Sequence, residues 1–364
     1  FMASMRNDWR LMSLLPAASF GLVLLLGFCA WNFLMLLAVP DFGRPPFADI
    51  AALRPALGAV VAGKHEIVTV SLLLVIAAGV LAAIAAATAW GIAREARGSA
   101  STGMEYADTW LSVGVILVVT IPAFIAVLGS TQCGEFYLHQ CLGKDILPGL
   151  FDDYLKTLGV TDIAPGLTLE NAAIAGNLSV AAAAFTLLAA MTLLPRGLEQ
   201  AGKVPPIGEL KKWFARRLRR FELLSFLTSL MLVAGIAQLN SWMKWPLVLM
   251  NQEVLQGKDA VETLRANYEA LADSVLQYSA VWYGLMVAAL IFTTRLVLSH
   301  KCRQLADAIL TDPASAEPDK EEAQKLIDET FAGSSAQVYF ERYRTYLLAL
   351  APAIAQQLLQ AFGG

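Results

Sequence analysis

Four side-chain amides lie inside otherwise apolar segments of the sequence, and their placement needs an explanation. An amide that faces hydrocarbon leaves its polar atoms without hydrogen-bond partners, so each of these should face another polar group, water or a ligand. Two interpretations remain open: hydrogen bonds between helices, worth about 1 kcal/mol each, or the polar wall of a transport pathway. Gln238 and Asn240 lie about 200° apart around a helix, so at most one of them can line a given cavity. The four residues are Asn32, Asn177, Gln238 and Asn240.

Cysteine spacing predicts one disulfide. Cys133 and Cys141 are eight residues apart, in a connection with few basic residues that is predicted to lie outside the cell, where oxidation is possible. The alternative is a pair of unpaired thiols. Cys29 and Cys302 are predicted to be free. A metal site is disfavoured, because only His139 lies near the pair and such a site needs three or four ligands.

Motifs that would indicate other chemistry are missing from the sequence. There is no GxxxxGK[ST] phosphate loop, no HExxH, no CxxC, no GxSxG and no TVGYG filter. The three histidines lie at or beyond the ends of the apolar segments, and no carboxylate lies in the middle of one, unlike in haem bundles or proton-coupled pumps. We therefore predict no catalytic residue, no cofactor and no metal. An enzyme that acts on lipids from its loops is a minor alternative.

The segment 205–222 is the most basic part of the chain. It begins with Pro205-Pro206 and then follows helical spacing, with aromatic and aliphatic residues on one side and cations on the others. A helix of this type lies in the plane of the lipid headgroups, where each cation near anionic lipid contributes about 1 kcal/mol. Its function is either to anchor the topology or to sense lipid and operate a gate. The predicted headgroup-binding residues are Lys211, Lys212, Trp213, Arg216, Arg219 and Arg220.

The elements that position these residues are predicted to be membrane-spanning helices. Hydrophobic residues make up 57% of the 364 residues and charged residues 16%, against about 45–50% and about 25% in soluble domains. A spanning helix needs about 20 mostly apolar residues. The fold class is therefore all-α: a polytopic integral membrane protein with six transmembrane helices and interfacial amphipathic helices. Pro122 is a candidate hinge in the third span. The six stretches are 14–39, 67–93, 110–129, 172–194, 223–245 and 278–298.

The distribution of Lys and Arg predicts the orientation. Successive connections between the predicted spans lie on alternate sides of the membrane and so form two sets. One set carries 18 Lys and Arg residues, eight of them in 195–222, and the other set carries 8. Cytoplasmic connections retain Lys and Arg, so both termini are predicted to be cytoplasmic. The chain is predicted to begin with a cytoplasmic N-terminus 1–13, of which 1–4 resemble a leader added ahead of Met5. A transmembrane domain 14–299 follows, with outer loops 40–66, 130–171 and 246–277. The chain then continues as a cytoplasmic amphipathic tail 300–364.

Two helices are predicted outside the bilayer. An apolar stripe at three- and four-residue spacing, with no Pro or Gly between Asp259 and Tyr283, predicts one helix over 259–299 that continues straight into the sixth span. Its outer part must pack on an upward extension of the fifth span or on a neighbouring subunit. Residues 319–331 are predicted to form a charged, solvated helix. Whether the apolar segment 345–363 enters the membrane is left open by its glutamines.

These patterns favour a passive role in transport. The expected function is an oligomeric channel or facilitator with a gated pathway that is not coupled to protons. The alternative is a non-transporting effector, sensor or accessory subunit of a larger membrane assembly. The expected partners are anionic lipid headgroups and either further copies of the chain or other membrane subunits. The expected location is the plasma membrane, as in a bacterial inner membrane. The net charge of −3 gives no indication of nucleic-acid binding.

Overall fold

The computed structural model describes residues 15–16, 18–23, 26, 57–97, 169–198, 204–249 and 258–332. All the regular structure in these ranges is helical, which agrees with the predicted all-α class. The first three ranges are short helical pieces of the first apolar stretch. The five longer helices are α1 (Leu57–Arg97), α2 (Leu169–Leu193), α3 (Ile207–Leu249), α4 (Lys258–Thr311) and α5 (Glu317–Ala332).

Four of the helices are long and apolar enough to cross a membrane, so the chain is a multi-pass membrane protein by length and composition. They coincide with four of the six predicted stretches. The stretch 14–39 lies mostly, and the stretch 110–129 entirely, outside the described residues, so the number six and the orientation stay predictions. The candidate spans are Glu66–Glu95 in α1, Ala175–Leu193 in α2, Ile207–Lys244 in α3 and Ser279–Thr311 in α4.

Helix α1 packs on both α2 and α3, and α3 packs in turn on α4. Helices α1 and α3 are antiparallel: Glu66 accepts a hydrogen bond from Ser241 near one end, and Glu95 binds Arg217 near the other. Arg196, directly after α2, also contacts Arg217. We call the end with Glu95 and Arg217 the basic end and the end with Glu66 and Ser241 the amide end. The predicted topology puts the basic end in the cytoplasm.

Buried residues recur along α1 at alternating spacings of three and four residues. This is the seam pattern of two helices packed almost parallel to their common axis. On the opposite side, large apolar residues are exposed, including Leu72, Ile76 and Trp90. Exposed apolar side chains on a helix of this length are what contact with lipid requires. The buried residues of the seam are Ser71, Leu74, Ala78, Leu81, Ala85, Thr88 and Ile92.

Helix α4 confirms the prediction that the outer helix continues into the last span. It has 54 residues and is therefore about 81 Å long at 1.5 Å per residue. Ala272 and Leu276, which precede the candidate span of α4, are buried. Lys244 of α3 lies 3.6 Å from Asp273 of α4, measured from Nζ to Oδ1. Of the two predicted partners for this extension, the structure thus shows α3, the helix predicted to be the fifth span, which reaches Leu249.

The basic segment differs from its prediction in one respect. It is not a separate helix in the membrane plane but the first part of the 43-residue helix α3. Its aromatic side packs on protein, because Trp213 and Phe214 are 2% and 8% exposed and contact α4 and α5. Trp213, predicted as a headgroup-binding residue, is therefore covered by protein in this structure. The residues of this second core include Leu210, Trp213, Phe214, Leu298, Cys302, Ala306, Ile309, Ala323 and Leu326.

Candidate functional site

The amide end contains one of the four predicted amides in a packed position. The Nε2 of Gln238 donates a hydrogen bond to the Oγ of Ser71 at 3.0 Å. Gly176 of α2 lies against the same amide, since a Cβ added there would be 3.0 Å from that Nε2. Gln238 is therefore held at the junction of α1, α2 and α3, in the manner of the interhelical hydrogen bonds that were one of the two interpretations.

The other predicted amides are not seen to join Gln238. Asn177 is exposed and Asn240 is half-buried, and Asn32 lies outside the described residues. The second polar contact at this end is instead made by Ser241, whose Oγ donates to Glu66 Oε1 at 3.0 Å. Whether the four amides line one pathway stays a prediction.

The remaining predicted residues fall in two groups. Cys302 is buried and forms no disulfide with another described residue. The predicted disulfide partners Cys133 and Cys141 and the hinge Pro122 lie outside the described residues, as does Cys29. In the part of the chain that the structure describes, no three His, Cys, Asp or Glu side chains are grouped so that they could hold a metal ion.

Arg217 is the most unusual residue of the basic end. Its side chain is 2% exposed, and its Nη2 donates to Glu95 Oε2 at 2.8 Å and to the backbone oxygen of Arg196 at 3.2 Å. Arg220 shares the same carboxylate, with 3.6 Å between its Nη2 and Glu95 Oε1. Two guanidinium groups therefore share one carboxylate, which leaves an excess of positive charge in a partly desolvated place.

The turn after α2 brings the backbone against this cluster. Gly197 has φ +88°, in the left-handed region that glycine adopts at no steric cost. A Cβ at Gly197 would lie 3.3 Å from Arg217 Nη2 and 3.9 Å from Trp213 Nε1. Leu198 also has a positive φ of 76°, which costs about 1–2 kcal/mol for a residue with a side chain. Its packing on the second core offsets that strain.

Several donors of the basic end are buried without an acceptor among the described residues. They are Trp213 Nε1, Arg217 Nε and Arg220 Nη1. The guanidinium carbon of Arg217 lies 5.9 Å from the centre of the Trp213 ring, a contact that offsets part of the cost of burying the charge. It does not satisfy the N–H groups, and a buried donor without a partner costs about 1–3 kcal/mol.

The cluster lies near one end of three candidate spans. In α3, residues 223–244 alone are about 33 Å long, which is enough to cross a hydrocarbon core of about 30 Å. Arg217 and Arg220 lie in the first part of the candidate span Ile207–Lys244, before residues 223–244, whereas Glu95 ends the candidate span of α1 and Arg196 follows that of α2. If residues 223–244 are the part of α3 that crosses the hydrocarbon core, the cluster lies at the depth of the headgroups, where phosphate groups are abundant.

The predicted headgroup-binding residues divide by exposure. Lys212, Arg216 and Arg219 are exposed, as binding to lipid headgroups would require. Lys211 instead donates to Glu322 of α5 at 2.8 Å, and Trp213 is buried. Whether any of them binds lipid stays a prediction.

Sequence reasoning missed Arg217, Glu95 and Gly197. For Arg217 a signal was available: it lies four residues after Trp213 and four before Phe221, so helical spacing puts it on the apolar side of α3. No comparable signal marks Glu95 or Gly197, because their importance comes from residues more than 15 positions away.

Comparison of the chain with protein-family models, with curated proteins and with solved structures finds no match in any of the three. Function must therefore be inferred from the site itself.

Proposed function

We propose that the protein is a non-transporting membrane effector or accessory subunit, which couples a contact outside the membrane to the basic end. The observation that carries this proposal is the length of α4. Its residues 258–278 extend about 32 Å beyond the candidate span, and its other end packs on α3 and α5. In this proposal the basic end is cytoplasmic and the membrane is the plasma membrane, which the Lys and Arg distribution supports.

The contacts along α4 support transmission through a rigid rod. The Lys244–Asp273 ion pair joins α4 to α3 on the outer side, and the second core joins the same two helices at the basic end. A tilt of the outer extension must therefore move both helices together, because packed interiors resist gradual deformation. A partner that binds the extension would be sensed at Arg217 and at α5.

A channel or facilitator is the second candidate, and one observation favours it. Asn177 is exposed although it lies inside the candidate span Ala175–Leu193. An amide at that depth needs water, a polar side chain or a second copy of the chain. An oligomer with a water-filled pathway along α2 would provide one of these.

Two measurements on the full-length protein separate the candidates. The first is flux of small ions and neutral osmolytes in proteoliposomes, with Asn177→Ala as the variant. The effector proposal predicts no flux above that of empty vesicles. Flux that Asn177→Ala abolishes would establish the channel instead.

The second measurement is co-purification of a partner from the native membrane. Glu269 is exposed on the outer extension of α4, and Glu321 is exposed on α5 at the opposite end. We expect Glu269→Arg to lose the partner and the matched control Glu321→Arg to retain it. Equal retention by both variants would contradict a role of the outer extension.

A further inference from the structure

We infer that the basic end contains a binding site for a phosphate-type anion, formed by Arg217, Arg220 and Trp213 beside the backbone of Gly197. This site is distinct from the exposed cations Lys212, Arg216 and Arg219, because its donors are buried. The inference goes beyond the proposed function, since it holds equally for an effector or a channel.

The unpartnered donors provide the first argument. More than about 90% of buried polar groups in proteins have a hydrogen-bond partner, and an exception calls for an explanation such as a bound ion. Trp213 and Arg217 are each 2% exposed, yet Trp213 Nε1 and Arg217 Nε have no acceptor among the described residues. An anion with several oxygens would accept from both.

The backbone at Gly197 provides the second argument. The point that a Cβ would occupy lies 3.3 Å from Arg217 Nη2 and 3.9 Å from Trp213 Nε1. Arg217 Nη2 and Trp213 Nε1 therefore both lie beside the backbone of Gly197, which only a residue without a side chain lets come this close. Glycine lets a backbone approach a ligand closely, and backbone N–H groups in turns with left-handed residues form anion-binding concavities.

Charge provides the third argument. Glu95 is shared by Arg217 and Arg220, so one positive charge of the pair is not neutralised by it. Guanidinium groups present planar pairs of N–H donors that match phosphate oxygens. The nearby exposed cations would raise the local concentration of anions.

Access to the site is provided by its outer members. The side chains of Arg220 and Glu95 are 34% and 44% exposed, so the cluster reaches the surface while its inner donors do not. At the depth of the headgroups, the anion has two possible sources, the phosphate of an anionic lipid or a soluble phosphate. The chemistry of recognition is the same for both.

The test uses the full-length protein in phosphatidylcholine nanodiscs at high ionic strength, because salt screens exposed cations more than buried ones. Inorganic phosphate and phosphatidic acid are added in separate experiments. The readout is the rise of the thermal unfolding midpoint with probe concentration, which yields a dissociation constant. We expect a saturable rise for at least one probe. A response to inorganic phosphate identifies a soluble source, and a response to phosphatidic acid alone identifies a lipid.

Three variants locate the response. Arg217→Gln combined with Glu95→Gln removes both charges of this ion pair together, and we expect it to raise the dissociation constant by about tenfold or more. Trp213→Phe removes the indole N–H and keeps an aromatic ring, and we expect a rise of about threefold to tenfold. Arg216→Gln is the matched control: it removes one exposed charge from the neighbouring position, and we expect a change of less than about twofold.

The inference is overturned if neither probe gives a saturable response in the wild type. It is also overturned if Arg216→Gln weakens binding as much as the double variant, because the response would then come from surface charge. If the double variant does not fold, Trp213→Phe decides the question alone. An unchanged dissociation constant in that variant would overturn the site.

Discussion

At Gly197 a single hydrogen atom in place of a side chain decides how closely the turn after α2 approaches α3. The backbone is left-handed there, and a Cβ would lie 3.3 Å from Arg217 Nη2. Backbone strain and crowding therefore act in the same direction at this residue. The same argument does not apply to Gly208, which is helical and has nothing within 4 Å of its added Cβ.

We expect Gly197→Ala to lower the free energy of unfolding by about 1–2 kcal/mol, from the left-handed φ alone. The matched control Gly208→Ala should leave the protein unchanged or stabilise it by up to about 1 kcal/mol, because alanine favours helix. The measurement is the unfolding midpoint of the detergent-purified protein. A loss for Gly208→Ala as large as that for Gly197→Ala would contradict this account.

The contacts of single residues were predicted least well from the sequence. Helical spacing could place Arg217 on the apolar side of α3, but only the fold supplies its partner Glu95, 122 positions earlier. Gln238 was predicted to need a polar partner, and Ser71 provides one from 167 positions away. Pairings of this kind depend on which helices become neighbours, and periodicity within one helix carries no information about that.

At the scale of the helix, α1 presents two different sides. Ala85 lies on the buried seam, whereas Ala87, two positions later, is exposed together with Gly79 and Ala83. The sequence shows the small residues of both sides equally well. It does not show which of them face α2 and α3.

This difference predicts the effect of a larger side chain. Ala85→Leu should lower the free energy of unfolding by about 1–3 kcal/mol, since extra atoms in a closely packed seam force its neighbours apart. Ala87→Leu should change it by less than about 0.5 kcal/mol. Both values can be measured by unfolding in mixed micelles. A comparable loss for Ala87→Leu would instead indicate that another helix or a second copy covers that side.

Helix α5 is joined to α3 by a charged contact whose pH dependence can be predicted. The Lys211 ammonium donates to the Glu322 carboxylate at 2.8 Å. This hydrogen bond, and next the lysine charge, lower the pKa of Glu322 below its ordinary value of 4.5. A lowered pKa means that the stabilisation is complete above 4.5 and is lost as the pH falls through the lower, folded value.

We therefore expect a carboxyl-carbon NMR titration to give Glu322 a midpoint below 4.5, the ordinary value. Lys211→Met should return the midpoint towards that value. Lys212→Met removes an exposed charge from the next position and should have a smaller effect, because no contact joins it to Glu322. Equal shifts in the two variants would mean that general surface charge lowers the pKa, rather than this contact.

Whole helices were predicted more accurately than contacts. The apolar stripe predicted that α4 is continuous, and Pro205-Pro206 predicted that α3 begins at Ile207. Both are local properties of the chain. The packing of Trp213 on α4 and α5 was not predicted, because an apolar helix side fits lipid and protein equally well until the neighbouring helices are known.

At the scale of the molecule, the contacts among the four candidate spans fix which ends lie together. Glu95, Arg196 and Arg217 share one end, in agreement with the alternation of connections that the sequence predicts. Which side of the membrane that end faces follows only from the Lys and Arg count.

Labelling in intact cells tests the orientation. In a variant without the four native cysteines, Lys212→Cys should react with a membrane-impermeant thiol reagent only after the cells are opened. Ala266→Cys, at an exposed position of the outer extension, should react in intact cells. The reverse pattern would invert the topology and would place Arg217 at the outer surface.

The uninterrupted path of α4 through the bilayer gives it the geometry of a lever. Helices adjust to a thinner or thicker bilayer by changing their tilt. For an arm of about 32 Å, each 10° of tilt carries the outer tip sideways by about 6 Å. A change in bilayer thickness alone, with no ligand bound, would therefore displace the tip of this helix by about the width of a side chain.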